Sequence, residues 1–329
     1  MEVCQRQAFK IAKFENMSCR GKKVLANKLN YGDTIGVVGV SNSIEFENKK
    51  ENFYKAEKFF ADKGFKVKRG KYVFESQYGS AGTKEQKAED MMRMFQDKEV
   101  KAIVCLRGGQ TCNTFIDLLD YDVIKQNPKI IIGYSDITVL LQTIYHKTGL
   151  VTFHGPDFLD FAEDNAEERY EDFESVLVNQ TIGKFHTGEK KVIRSGNAQG
   201  ELIGTNLGCM MHLIGTEYLP DMQDKILAME SFVTSPNECQ RRFAHLKQVG
   251  IFDKIKGVII GYNYDLQKDG NAFPQMEDIL LEYTKEYDFP IIKCNDFGHM
   301  MVNSVIPIGA KCQINSENNE VKITDQFLQ

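Results

Sequence analysis

The sequence predicts an α/β fold: an N-terminal, mostly parallel α/β sheet domain followed by a second, smaller α+β domain rich in short strands. Three observations carry this. Short apolar runs alternate with stretches of helical period over the first 150 or so residues, the pattern of a parallel sheet covered by helices on both faces. The run Ile130-Ile131-Ile132 is apolar at every position, as a strand buried on both faces must be. Beyond Gly196 the elements become shorter and more mixed.

Taken in order, Asp33 to Val40 reads as a strand after a glycine turn. Asn48 to Lys63 reads as an amphipathic helix with Phe53, Ala56, Phe59 and Phe60 on one side. Gly64 ends it, and Phe65-Lys66-Val67 begins a second strand. Thr83 to Asp97 is a helix whose methionines, Met91, Met92 and Met94, serve as core. Val100 to Leu106 is a strand, Cys112 to Leu119 a helix, Ile130 to Ile132 a strand and Ile137 to His146 a helix. The acidic stretch Asp160 to Glu174 reads as a solvated linker or surface helix, or alternatively a lid. Further strands are expected at Ile226 to Met229, Gly257 to Gly261, Pro290 to Lys293, Ala310 to Ile314 and Val321 to Ile323. Helices are expected at Leu207 to Leu213, Asn237 to Val249 and Met276 to Tyr287. The implied organisation is an extension over 1–28, the α/β domain over 29–160, a linker or lid over 161–195 and the second domain over 196–329.

The 329 residues can bury two cores, and 42% hydrophobic with 26% charged residues is a globular composition. The net charge of −5 gives no electrostatic reason to expect nucleic acid or an anionic membrane as partner. No apolar run approaches the roughly 20 residues that span a bilayer. The start, Met1-Glu2-Val3-Cys4-Gln5-Arg6, lacks a signal-peptide apolar core, so a cytoplasmic protein is expected. Eight scattered cysteines, with no C-x-x-C, read as reduced and mostly buried; Cys105 and Cys112 are the two candidates for a reactive thiol. No His/Cys cluster has metal-site spacing, so neither metal nor cofactor is expected.

The chemistry centres on Gly133-Tyr134-Ser135-Asp136-Ile137-Thr138. A serine between a buried strand and a helix start has its hydroxyl lifted beside free backbone N–H groups, the geometry of a nucleophile elbow. Ile137 stands where the usual G-x-S-x-G pattern has glycine. A serine nucleophile needs a base and the base an orienting partner. Two histidines lie beside glycine after strands, His154 in Phe153-His154-Gly155-Pro156 and His299 in Phe297-Gly298-His299-Met300, and pattern alone does not choose between them.

The chain as a whole resembles the LD-carboxypeptidase family of serine peptidases, which includes the microcin C self-immunity proteins. The resemblance runs from about residue 29 to 325. It rests on Gly79-Ser80-Ala81-Gly82-Thr83, Val100 to Gly109, Pro128 to Thr138, Thr152 to Pro156, Gly200 to Leu207, Lys225 to Glu230, Gly298-His299 and Ile306 to Ala310. It implies Ser135 as nucleophile, His299 as general base and Glu230 as the acid that orients it, split between the two domains. It further implies an oxyanion hole from the backbone N–H of Asp136 with Gly108 or Gly109, a substrate pocket at Thr205 and Asn206, and His154 as a wall of the cleft. The family often has Gly-Gly-Asn where this chain has Gly204-Thr205-Asn206, a departure expected to narrow the pocket.

The implied activity is removal of a terminal D-amino acid from murein tetrapeptides, without a metal, by a cytoplasmic homodimer. A close rival is a microcin C immunity-type hydrolase acting on an acyl-nucleotide bond, which the absence of tryptophan disfavours because such a substrate wants an aromatic platform. The substrate partner is thus a small peptide or a peptidyl-nucleotide. A reading from another class is a two-domain small-molecule binding protein with no catalysis.

Overall fold

The computed structural model describes residues 23–45, 47–270 and 274–329. The polar N-terminal stretch on which the cytoplasmic expectation rests, along with Cys4 and Cys19, lies outside the described residues. The strands are β1 Thr34–Val38, β2 Lys66–Arg69, β3 Val100–Cys105, β4 Ile130–Gly133, β5 Thr152–His154, β6 Lys190–Arg194 and β7 Asn197–Asn206. They continue with β8 Ile226–Ser231, β9 Gly257–Asn263, β10 Ile291–Gly298, β11 Ile306–Ile308, β12 Lys311–Asn315 and β13 Glu320–Ile323.

The first sheet has the order β11-β5-β4-β3-β1-β2 and is parallel except for β11, which pairs antiparallel with β5. Its centre is apolar on both faces: Ile130, Ile131 and Ile132 of β4 are all fully buried. Burying each such side chain contributes about 1.5–3 kcal/mol. The helix Glu47–Asp62 sends Phe53, Ala56 and Phe60 into this core. The helix Lys84–Gln96 starts with a reciprocal cap between Thr83 and Gln86 and buries Met91, Met94 and Phe95. Where a helix over Cys112 to Leu119 is expected, the chain makes two short 3-10 turns, Cys112–Thr114 and Ile116–Leu118. The α-helix comes later, at Tyr121–Gln126, where Asp120 accepts a hydrogen bond from Val123 N as its cap.

The acidic stretch forms the expected surface helix rather than a solvated linker. Its helix, Ala166–Leu177, buries Tyr170, Phe173, Val176 and Leu177 in the first core and keeps its glutamates outward. Asp172 is inward too, and accepts a hydrogen bond from Val305 N at 2.7 Å. Further on, Lys190–Arg194 enters the second sheet as β6. That sheet has the order β13-β12-β7-β8-β9-β10-β6, with β7 to β10 parallel. The ten-residue β7 escapes the sequence pattern because half of it is polar and it holds two glycines. Those glycines let neighbouring backbone close in: a Cβ on Gly200 would sit 2.3 Å from Asp224 O, and one on Gly204 2.1 Å from Ala228 O.

The two sheets meet through the helix Thr138–Thr148 and the end of β7. Thr138 Oγ1 lies 2.9 Å from Thr205 Oγ1 and accepts from Asn206 N at 3.3 Å, while Gln142 Nε2 donates to Gly204 O at 2.9 Å. All these residues are buried. The carboxyl ends of β4 and of β8 are thereby brought to one cleft, where ligands of parallel sheets bind.

Candidate active site

The segment after β4 turns sharply at Ser135, whose φ of +60° is unusual for any residue but glycine. Such strain persists where surrounding contacts over-determine it. Here a 3-10 turn over Ser135–Ile137 leads straight into the helix Thr138–Thr148. The isoleucine at 137 fits because residue 133 has no side chain: a Cβ on Gly133 would lie 2.7 Å from Ile137 Cδ1. The Asp136 carboxylate is buried and accepts from Ser41 Oγ at 2.5 Å and Cys112 N at 2.8 Å. It ties the loop after β1 and the loop after β3 to the elbow. Lys87, also buried, holds the same region by donating to Ser80 Oγ, Thr111 O and Thr114 Oγ1.

The second sheet supplies an acid and a histidine. Glu230, near the end of β8, is fully buried, and its Oε2 accepts from His299 Nδ1 at 2.8 Å. Its Oε1 accepts from Asn206 Nδ2 at 2.9 Å. Burial alone raises the carboxyl pKa, but the charge and hydrogen bond of His299 outweigh it and hold Glu230 below the usual carboxylate range. The other ring nitrogen of His299, Nε2, is buried and has no hydrogen-bond partner among the described residues. Phe232 stacks on the imidazole, with centroids 4.8 Å apart and planes at 10°, and Tyr134 packs at 5.0 Å. The ring is thus fixed in place while one nitrogen stays available.

His154 is placed differently. It is fully buried, its Nε2 bonds Asn303 Oδ1 at 3.0 Å, and the same oxygen accepts from Gly298 N at 3.0 Å. Burial depresses its pKa to about 4, so it stays neutral and props the loop carrying His299. Of the two candidate histidines, His299 is therefore the one on the cleft.

Ser135 and His299 line a cleft of about 490 Å³ with Asn42, Arg107, Gly108, Gly109 and Phe232. Gly108 approaches so closely that an added Cβ would stand 2.8 Å from Ser135 Cβ. Its N–H, however, donates to Asp157 Oδ2 at 2.7 Å. That donor is committed, which corrects the expectation of Gly108 as an oxyanion donor; Gly109 N–H makes no hydrogen bond within the described residues and remains. Asp157 also accepts from Tyr134 N at 3.2 Å, so one carboxyl staples the two loops that flank Ser135. Nothing in the sequence marks Asp157 except its place after Thr152 to Pro156. Burial and the neighbouring Asp160 push the Asp157 pKa up; Asp160 is itself raised to about 6 by burial.

Two further expectations are corrected. Thr205 is fully buried, with a φ of +138°, and bonds Thr138 rather than lining the cleft. Asn206 is buried, holds Glu230 through Nδ2 and caps the short helix Leu207–Met210 through Cys209 N. Neither Cys105 nor Cys112 is a reactive thiol: burial drives both pKa values well above that of a free cysteine. Among the described residues no group of three or more His, Cys, Asp or Glu side chains could hold a metal ion, and no helix is long and apolar enough to cross a membrane.

A serine on a strained strand-to-helix turn, facing a cleft with a carboxylate-bound histidine, is an arrangement suited to acyl transfer. Residues 35–155 match the model of the LD-carboxypeptidase N-terminal domain, and residues 199–314 that of the LD-carboxypeptidase C-terminal domain. The chain belongs to the LD-carboxypeptidase family. It is 30% identical to the microcin C7 self-immunity protein MccF of Escherichia coli, over 95% of this chain and 99% of that protein. It is also 30% identical to a probable murein peptide carboxypeptidase of Bacillus subtilis, over 88% of this chain and 90% of that one. The structure of MccF in complex with glutamyl sulfamoyl guanosine superposes with a TM-score of 0.83 at 28% identity, covering 93% of this chain and 99% of that chain.

Proposed function

We propose that the protein is a metal-independent serine carboxypeptidase that removes a terminal D-amino acid from murein tetrapeptides. Ser135 is the nucleophile, His299 the general base and Glu230 its orienting acid. The observation that carries this reading is the buried Glu230–His299 pair, in which His299 Nε2 has no partner among the described residues and His299 lines the same cleft as Ser135. As the Ser135 hydroxyl attacks the amide carbonyl, His299 Nε2 takes its proton. The oxyanion is stabilised by the N–H groups of Gly109 and Asp136, each donor of this kind being worth about 3–4 kcal/mol in the transition state. His299 then protonates the leaving amine, and water, deprotonated by the same nitrogen, releases the acyl group from Ser135. In the absence of substrate Ser135 and His299 are not hydrogen-bonded to each other, which is common before a substrate tightens such a site. The family resemblance also supports a cytoplasmic homodimer.

A fluorophosphonate should label Ser135, and Ser135→Ala should abolish both labelling and turnover of a murein tetrapeptide. Retained turnover in that variant would overturn the assignment, and absence of both in the wild type would favour a non-catalytic binding protein.

The second reading, hydrolysis of an acyl-nucleotide bond, has one observation in its favour. Phe232 is 37% exposed on the cleft, which puts an aromatic side chain within reach of a base, although the chain has no tryptophan. Incubation with a murein tetrapeptide and with an aminoacyl nucleotide separates the two; turnover of the nucleotide alone would sink the leading reading.

A further inference from the structure

Among the described residues, the cleft beside Ser135 is lined by three acidic side chains, Asp157, Asp160 and Glu163, and by one arginine or lysine, Arg107. Asp157 is committed to the backbone N–H groups of Gly108 and Tyr134, and Glu163 is paired with Arg169 at 2.9 Å. Arg107 is different. It is half-buried, and among the described residues its guanidinium makes neither a hydrogen bond nor a close ion pair, although its charge reaches Asp157 and opposes the rise in that carboxyl's pKa. A half-buried guanidinium at a cleft, whose five donors meet no protein acceptor, is available to a ligand that brings its own. Its place in the chain is equally specific, one residue before the glycine whose backbone touches Ser135.

We propose that Arg107 binds an anion on the leaving-group side of the scissile amide. This rests on the hydrolase reading above and specifies what the site selects. In a peptide whose last amide is cleaved, the α-carboxylate lies three bonds from the attacked carbonyl carbon, within the neighbourhood of residue 107. An endopeptidase substrate has no charge there. An acyl phosphoramidate of a nucleotide does, on the phosphoryl group. The shared chemistry is therefore an oxyanion next to the leaving nitrogen, held by a planar two-pronged donor. The three carboxyls are held by backbone N–H groups or by Arg169, which leaves Arg107 as the described cation on the cleft lining placed to select an anionic substrate.

The test uses two matched substrate pairs: a murein tetrapeptide with a free terminal carboxylate against its terminal amide, and an aminoacyl phosphoramidate nucleotide against its uncharged phosphoryl methyl ester. Whichever pair the wild type turns over, the anionic member should be preferred about 100-fold in kcat/KM. Arg107→Gln should reduce that preference to a few-fold, mainly through KM, and Arg107→Lys should restore part of it. A preference that survives Arg107→Gln, or one absent in the wild type, overturns the assignment while leaving the hydrolase reading intact. Turnover of the nucleotide pair alone overturns the murein reading and leaves Arg107 tested on the phosphoryl anion. No turnover of any of the four, with no labelling of Ser135 by a fluorophosphonate, overturns the hydrolase reading and this proposal together.

Discussion

Thr205 shows how a residue with a branched side chain can fit a backbone setting that favours glycine. Its φ of +138° is backbone that glycine adopts freely, and its hydroxyl bonds Thr138 Oγ1 at 2.9 Å. The hydroxyl contact offsets strain of about 1–3 kcal/mol. Thr205→Ala keeps the strain and loses the contact, whereas Thr205→Gly loses both. Chemical denaturation should therefore find the alanine variant the less stable by about 1 kcal/mol, the reverse of the usual order within a strand. Asp160 gives a pH signature. Its folded-state pKa of about 6 lies above the roughly 3.9 of an unfolded aspartate, so the folded chain holds more protons between those values. Its contribution to stability falls as pH rises through that window, opposite in sign to that of Glu230, whose lowered pKa makes stability fall as pH drops. Asp160→Asn should therefore gain stability relative to wild type at pH 7 but not near pH 4, as read by thermal melts at both; an equal change at the two values would refute this.

At the scale of elements, the elbow was legible because it combines local signals: three buried isoleucines, a glycine and a helix start. Ile137 weakens the pattern only in sequence, since Gly133 gives back the space that a glycine at 137 would have left. What was not legible lies in loops that act by contact. Asp157, Asn303 and Phe232 have no periodicity to betray them; each is defined by a partner far along the chain. The loop after β3 is a measurable case. Gly108 has only ordinary turn character in sequence, yet a Cβ there meets Ser135 Cβ at 2.8 Å. Gly108→Ala should lower kcat by at least about 10²-fold through displaced nucleophile geometry, with a stability cost of about 1–3 kcal/mol. Unchanged kcat would mean that the loop yields without moving Ser135.

At the scale of the molecule, the alternation of strands and helices reveals the first sheet. The second sheet is more regular than its sequence suggests, because β7, the strand that joins its parallel and antiparallel parts, carries no apolar pattern over its first half. The candidate catalytic residues are divided between the sheets, so their alignment depends on the contact between the helix Thr138–Thr148 and β7. Thr138→Val is nearly isosteric but leaves Asn206 N and the Thr205 hydroxyl unpaired, and Asn206 is what steadies Glu230. It should cost about 1–3 kcal/mol in denaturation and lower kcat together with the rate at which a fluorophosphonate labels Ser135. Loss of stability without any kinetic effect would show that the interface does not set the alignment.

The short strand β11 pairs with β5 of the first sheet, although the residues on either side of it build the second, and Phe327 and Leu328 return to the first core as well. A ribosome delivers the half that carries Ser135 early but leaves β5 an open edge until the segment from Ile306 onward has emerged. The edge of the layer that carries Ser135 is thus closed by chain that follows Glu230 and His299 in the sequence, so the first sheet is whole only when the second domain is nearly so.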